Sequence, residues 1–315
     1  MRIAFVGKGG SGKTTLSSLF SRYLAATGAP VLAIDADVNQ HMAKSLGFSP
    51  SEIEAHPKLG SRLDEIRGYV RGSNSRLQAD GTLRATTPPG SGSRLIRDFE
   101  NDDLLKSLAL KREGIHFLAA GSFEEEDVGM MCFHGKTTAT EILLNHIAEP
   151  SGAYVIADMT AGADAFSMGT FLKFDALVLV IEPTGKSRDV LLQFKELNGK
   201  QGIPLILVAN KMQDKSDADF LRASIGEPDA LIPFSHTVRA ADRGEMQDLH
   251  MYDPELMIAL KNIRERVDSV GKDWDMLHQR LVALHARHAT EWLNASGHNY
   301  HDQIDPGFTG AAYQM

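Results

Sequence analysis

The 315-residue sequence predicts an α/β protein: a doubly wound, mainly parallel sheet with a C-terminal helical extension. Three observations predict it. Short apolar runs rich in Val, Ile and Leu recur without period-2 alternation, as strands buried on both faces do. Helix-length stretches separate them, and strand–helix alternation implies a parallel sheet covered on both sides. After about Arg243 the strands stop and two heptad-spaced apolar patterns take over.

The elements follow in order. Ile3–Val6 reads as a strand that runs into a glycine-rich turn, with a helix over Lys13–Thr27. Val31–Ile34, Ile115–Ala119, Tyr154–Ala157, Ala176–Ile181 and Leu205–Ala209 read as the next strands, with a helix over Ser187–Gly199 and a further strand ending at Pro233. Arg71–Arg94, which contains Pro88-Pro89-Gly90-Ser91-Gly92-Ser93, is a long irregular insertion. Leu256, Leu260, Ile263, Val267 and Val270, then Trp274, Leu277, Leu281 and Leu284, mark two amphipathic helices that pack on the sheet or on each other. The expected organisation is one domain over 1–245 with the insertion at 71–94, helices over 246–296, and a flexible tail over 297–315.

Composition narrows the classes. A net charge of −8 argues against coating nucleic acid or an anionic membrane through bulk charge. Apolar runs of about six residues are far short of the roughly 20 that span a bilayer. The single cysteine, Cys132, allows no intrachain disulfide and points to a reducing cytoplasm. Met1–Val6 carries no signal-peptide pattern.

Gly7-Lys8-Gly9-Gly10-Ser11-Gly12-Lys13-Thr14 fits the phosphate-loop pattern G-x-x-x-x-G-K-[ST], with a buried strand before it and a helix opening at Lys13. Glycines let successive N–H groups turn toward phosphate oxygens, and the helix amino end adds partial positive charge. Lys13 is expected on the β and γ phosphates and Thr14 on Mg²⁺, and Thr15 is expected at the nucleotide too. Tyr154-Val155-Ile156-Ala157-Asp158 is an apolar strand ending in a carboxylate placed to hold Mg²⁺. Gly162, just after it, is placed to offer its N–H to the γ-phosphate as a second switch. Asp35 and Asp37, at the end of the second strand, are poised to manage metal and water.

With Lys8 at its start, this loop resembles the deviant phosphate-loop ATPases of the ParA/MinD and nitrogenase iron-protein group (the SIMIBI/MinD type of P-loop NTPase), whose signature is K-G-G-x-G-K-[ST]. The resemblance implies that Lys8 reaches a partner's nucleotide, so that ATP glues a homodimer. It also implies that Asp37 orients the attacking water, so that the catalytic set is Lys8, Lys13 and Asp37. Asn210 and Lys211 resemble the family's adenine-contacting pair, with Pro233 packing on the base. From Met1 to about Glu245 the order of motifs looks like the CooC-like branch, the nickel-insertion ATPases of carbon monoxide dehydrogenase. The closest local match is Ala157–Phe166. Where that branch reads D-M-E-A-G-x-E-H, this chain has Thr160 for the first Glu and Asp164-Ala165 for the Glu-His pair.

The branch places a C-x-C pair before the helix that leads to the Mg²⁺-binding strand. Here Cys132 and His134 fall on those positions. Cys-x-His from two subunits gives a Cys₂His₂ set that suits Zn²⁺ and accepts Ni²⁺, against the plainer reading of a packed thiol beside a solvated histidine. His285, His288, His298 and His301 read as solvated or interface residues. The resemblance therefore implies a Mg-dependent ATPase switch acting on a client, a metalloenzyme in the nearest branch. Two other uses of the same chemistry are a spatial regulator acting on DNA or membrane and an ATP-gated client-binding adaptor. The chain shows no closing basic amphipathic helix for the membrane version.

Overall fold

The computed structural model describes residues 1–77, 83–122, 133–242, 247–294 and 297–314. Among them, eight strands form one sheet: β1 (Arg2–Gly7), β2 (Val31–Ala36), β3 (Leu110–Arg112), β4 (Ile115–Ala119), β5 (Tyr154–Met159), β6 (Ala176–Ile181), β7 (Leu205–Met212) and β8 (Ala230–Pro233), in the order β3-β4-β2-β5-β1-β6-β7-β8. All neighbours pair in parallel except β3 with β4. β1 sits mid-sheet between β5 and β6, so the turn after it opens at the topological switch point, where such sheets bind ligands.

Every residue of β1, β2, β5 and β6 is buried, which is why these runs are apolar apart from Arg2 at the start of β1 and Asp35 and Asp158 toward the ends of β2 and β5. Successive side chains serve opposite faces. Ile3 and Phe5 join one core, and Ala4 and Val6 the other. The first core takes α1 (Lys13–Ala26) through Leu16, Phe20 and Leu24, and the short α2 (Met42–Ser45) through Met42; α3 (Pro50–Ala55) borders it. The second takes α4 (Leu63–Arg71), α5 (Asp103–Leu108), α6 (Phe133–His146), α7 (Gly185–Gly199) and α8 (Lys215–Ile225). After α9 (His236–Asp242), α10 (Pro254–Val270) lays Leu256, Leu260, Ile263 and Val267 on the first core. Each of these side chains is worth about 1.5–3 kcal/mol of burial. In α11 (Trp274–His288), Leu284 joins the second core. The first heptad pattern is thus a sheet-packing face, whereas the second packs on the 3₁₀ helix Gly162–Lys173 and on the C-terminal tail.

The C-terminal tail departs from the flexible segment expected. Tyr300 and Tyr313 are buried, and Tyr313 stacks on Trp274 with ring centroids 4.8 Å apart. Arg97 donates to the carbonyls of Tyr313 and Ala312, each at 2.7 Å. The insertion is tied down by the same tail. Arg84 donates to the Tyr300 hydroxyl at 2.6 Å, Thr87 to Gln303 at 2.8 Å, and the Ser91 N–H to Asp305 at 2.8 Å. Polar side chains of each half meet the other, together with the Ser91 N–H, so residues 83–94 and 297–314 form one clasp. His285 is likewise not solvated. It is buried, with Nδ1 2.9 Å from the Thr86 hydroxyl and Nε2 3.1 Å from the Tyr300 carbonyl.

Candidate nucleotide site

The turn between β1 and α1 is shaped by glycine. Gly7 has φ +143°, and a Cβ there would collide with the Val180 carbonyl of β6. Gly12, at φ +96°, is the left-handed residue that caps α1, and a Cβ on it would run into the Asn210 amide. Two carbonyls of the turn are held by residues at the end of β7. Asn210 Nδ2 donates to the Ser11 carbonyl at 2.8 Å, and Lys211 Nζ to the Gly10 carbonyl at 2.6 Å. Lys211 in turn pairs with Glu182 at 2.7 Å.

A cavity of about 590 Å³ opens over this turn. Its lining includes Gly9, Gly10, Gly12, Lys13, Thr14, Thr15, Asp37, Asn210, Lys211 and Pro233, so ten of the predicted residues converge on one space. Lys13 is buried at the start of α1 with Nζ 3.4 Å from the Lys8 carbonyl. Lys8 itself is half-buried and stands outside the lining. A Cβ on Gly9 would lie 3.8 Å from Ala161 Cβ, so the turn faces the segment after β5. There Gly162, at φ +74°, opens a 3₁₀ helix over Gly162–Lys173.

Carboxylates close the floor. Asp35 and Asp158 are register partners on β2 and β5, both fully buried. Asp158 Oδ2 accepts from the Thr14 hydroxyl at 2.5 Å, while its Oδ1 has no hydrogen-bond partner among the described residues. Burial, with the charge of Asp35 next, holds the Asp158 carboxyl well above the usual carboxylate range. Burial also pushes Asp35 up to about 7, although it accepts from the Asp37 N–H at 3.1 Å and the Met42 N–H at 2.9 Å. Asp37 faces the cavity with Oδ1 accepting from Asn39 N and Nδ2 at 2.9 and 3.0 Å. An orphaned buried carboxylate oxygen beside a hydroxyl is a hard-oxygen donor set, which fits Mg²⁺.

Other expected residues stand differently. Both polar ends of the Asn210 amide are already engaged, Oδ1 by the Lys211 N–H at 2.9 Å, and the Lys211 ammonium is turned to the loop and to Glu182. Cys132 lies outside the described residues. His134 falls in the first turn of α6, its side chain likewise outside them. Asn39, His41, Phe234, Ser235, Val238 and Arg239 also line the cavity. No motif flagged them; they follow Asp37 and Pro233 closely in sequence, and that adjacency was the available signal.

The CobQ/CobB/MinD/ParA nucleotide binding domain family matches residues 3–273. The carbon monoxide dehydrogenase accessory protein CooC of Rhodospirillum rubrum is 31% identical over 246 residues, covering 77% of this chain and 87% of that protein. Among solved structures, a plasmid partition protein of Borrelia burgdorferi bound to AMPPNP superposes with TM-score 0.58 at 15% identity, covering 85% of this chain and 98% of that one. The septum site-determining protein MinD of Pyrococcus horikoshii with Mg-ADP gives 0.56 at 16% identity, covering 86% and 99%.

Proposed function

Since the chain belongs to the CobQ/CobB/MinD/ParA nucleotide-binding family, we propose that it is an ATP-hydrolysing switch in which Mg-ATP closes a homodimer and hydrolysis reopens it. The cycle would drive maturation of, or metal insertion into, a client metalloenzyme. The observation that carries this reading is the glycine turn beside the hydrogen bond from Thr14 to the buried Asp158. Asn210 and Lys211 hold the carbonyls of Ser11 and Gly10, and in this reading the turn's N–H groups would meet anionic oxygens.

In this reading Lys13 binds the β and γ phosphates, and Gly162 offers its N–H to the γ-phosphate. Asp37, steadied by Asn39, orients the attacking water. Thr14 and Asp158 would hold Mg²⁺, which supplies charge neutralisation on the phosphate oxygens when bound. Pro233 and Asn210, both in the cavity lining, would meet the base. Lys8, outside the lining, would reach the nucleotide of a second subunit. The client class comes from the similarity to CooC, a carbon monoxide dehydrogenase accessory protein. Cys132 and His134 of two subunits would hold one Zn²⁺ or Ni²⁺.

Calorimetry with ATP and Mg²⁺ tests the core of the reading. Wild type binds, Lys13→Ala does not, and Lys8→Ala binds but stays monomeric by light scattering. Asp37→Ala with ATP accumulates as a dimer. Absence of heat in wild type, or a persistent Asp37→Ala monomer, overturns it. Elemental analysis after anaerobic metal loading tests the client class: one ion per dimer, lost in Cys132→Ala, is expected. Salt-sensitive co-sedimentation with DNA and no bound metal would replace that class with a spatial regulator.

A further inference from the structure

Lys173 closes the 3₁₀ helix that begins at Gly162, and it is fully buried. A buried ammonium costs several kcal/mol unless it is well partnered. Its Nζ donates to the carbonyls of Ala85 at 2.8 Å and Glu141 at 3.2 Å and to Asn145 Oδ1 at 2.7 Å, with the Glu141 carboxylate 3.5 Å away. These partners lie on two remote segments, the insertion and α6. Asn145 doubles the link, since its Nδ2 donates to the carbonyls of Ala85 and Thr87, each at 2.9 Å. The neighbours of Ala85 then reach the tail through Arg84–Tyr300, Thr86–His285 and Thr87–Gln303.

The end of α6 is gripped a second time. Arg2, also fully buried, donates to the Leu144 carbonyl at 2.8 Å and to that of Ile147, and pairs with Glu149 at 2.9 Å. So β1, which leads into the phosphate turn, sends one cation to the Leu144 carbonyl in the last turn of α6, where the helix dipole favours positive charge. The 3₁₀ helix, which leads away from Gly162, sends another to the Glu141 carbonyl of the same helix.

We propose that Lys173 is a positioning residue that carries the state of the second switch to α6 and to the clasp of residues 83–94 with 297–314. The proposal rests on the nucleotide-switch reading. An ammonium shared among three segments cannot shift without breaking buried bonds, so displacement of the 3₁₀ helix draws the other two with it.

Hydrogen exchange on the full-length chain, with and without a slowly hydrolysed ATP analogue and Mg²⁺, tests this. In wild type, nucleotide changes exchange by about fivefold or more in peptides from α6, 83–94 and 297–314, the lower end of ordinary site-to-site coupling. In Lys173→Met/Glu141→Gln, which leaves no orphaned charge, nucleotide still binds and the peptide containing Gly162 still responds, but the distal responses are lost. Asn145→Ala, which removes an acceptor of the ammonium and both donors to the insertion, gives the same loss by a second route. Glu141→Gln alone, which leaves the three hydrogen bonds of Lys173, keeps the response. Distal responses that survive in both the double variant and Asn145→Ala overturn the proposal, as does a wild type that binds nucleotide with silent distal peptides. A wild type that binds no nucleotide in calorimetry overturns the switch reading itself.

Discussion

Replacing Asp158 by Asn should make the nucleotide-free protein more stable, and only at high pH. Asp158 and Asp35 face each other from adjacent strands with no solvent exposure. The Asp35 carboxyl is pushed up to about 7 from an ordinary 3.8, and Asp158 well above that ordinary value. For Asp35 this is roughly three tenfold steps in proton affinity, so keeping it ionised at pH 8 costs about 4 kcal/mol. A carboxyl whose folded pKa is raised binds protons more tightly in the folded state, and stability falls as pH rises from about 4 through 7. Asn keeps the acceptor for the Thr14 hydroxyl, leaves no charge to desolvate and removes the repulsion on Asp35. The variant should therefore be the more stable protein at pH 8, read as a higher Tm. At pH 5, below the folded pKa of Asp35 and further down the raised titration of Asp158, the gain should shrink. Scanning calorimetry of both proteins across pH 5–8 measures it. A variant less stable than wild type at pH 8, or a gain that does not vary with pH, would refute the reasoning. Mg-ATP should stabilise wild type and not the variant, which separates destabilised binding machinery from simple poor packing.

Three further outcomes follow from the same geometry. Gly12→Ala places a side chain at φ +96° against the Asn210 amide, a strain of about 1–2 kcal/mol, so the calorimetric Kd for ATP should rise about tenfold; unchanged affinity would contradict the described turn. Burial lowers His146 and His285 to about 4 from 6.5; the unfolded chain binds more protons between those values, and stability is lost as pH falls through that window. Each contributes on the order of 3 kcal/mol, and His285→Gln should flatten the fall in urea midpoint between pH 6.5 and 4. Tyr313→Ala removes the stack on Trp274 at a cost of about 3 kcal/mol, read as a lower Tm; an unchanged Tm would mean the tail does not dock.

What could be read from the sequence was what depends on local pattern. The buried parallel strands announce themselves because both faces must be apolar, and the phosphate turn because only glycine tolerates its conformations. β3 was missed: at three residues, Leu110–Arg112, with only partial burial, it carries no periodicity. The clasp escaped for a different reason. Arg84, Thr87, Gln303 and Asp305 are ordinary surface residue types, and their burial depends on meeting partners about 215 positions away. His285 was misread in the same way, since the groups that take up its two ring nitrogens, Thr86 and the Tyr300 carbonyl, come from outside its own helix.

Lys211 shows how a motif can be legible and its geometry not. The Asn-Lys pair was found in sequence, but whether the ammonium meets a base or the loop depends on what lies opposite, and that is Glu182 from the loop after β6. Lys211 and Asn210 each donate to one carbonyl of the turn. With the Ser11 N–H donating to the Lys8 carbonyl at 3.2 Å, these bonds fix the conformation of the turn. Its affinity then depends on two neighbouring loops as much as on its own glycines.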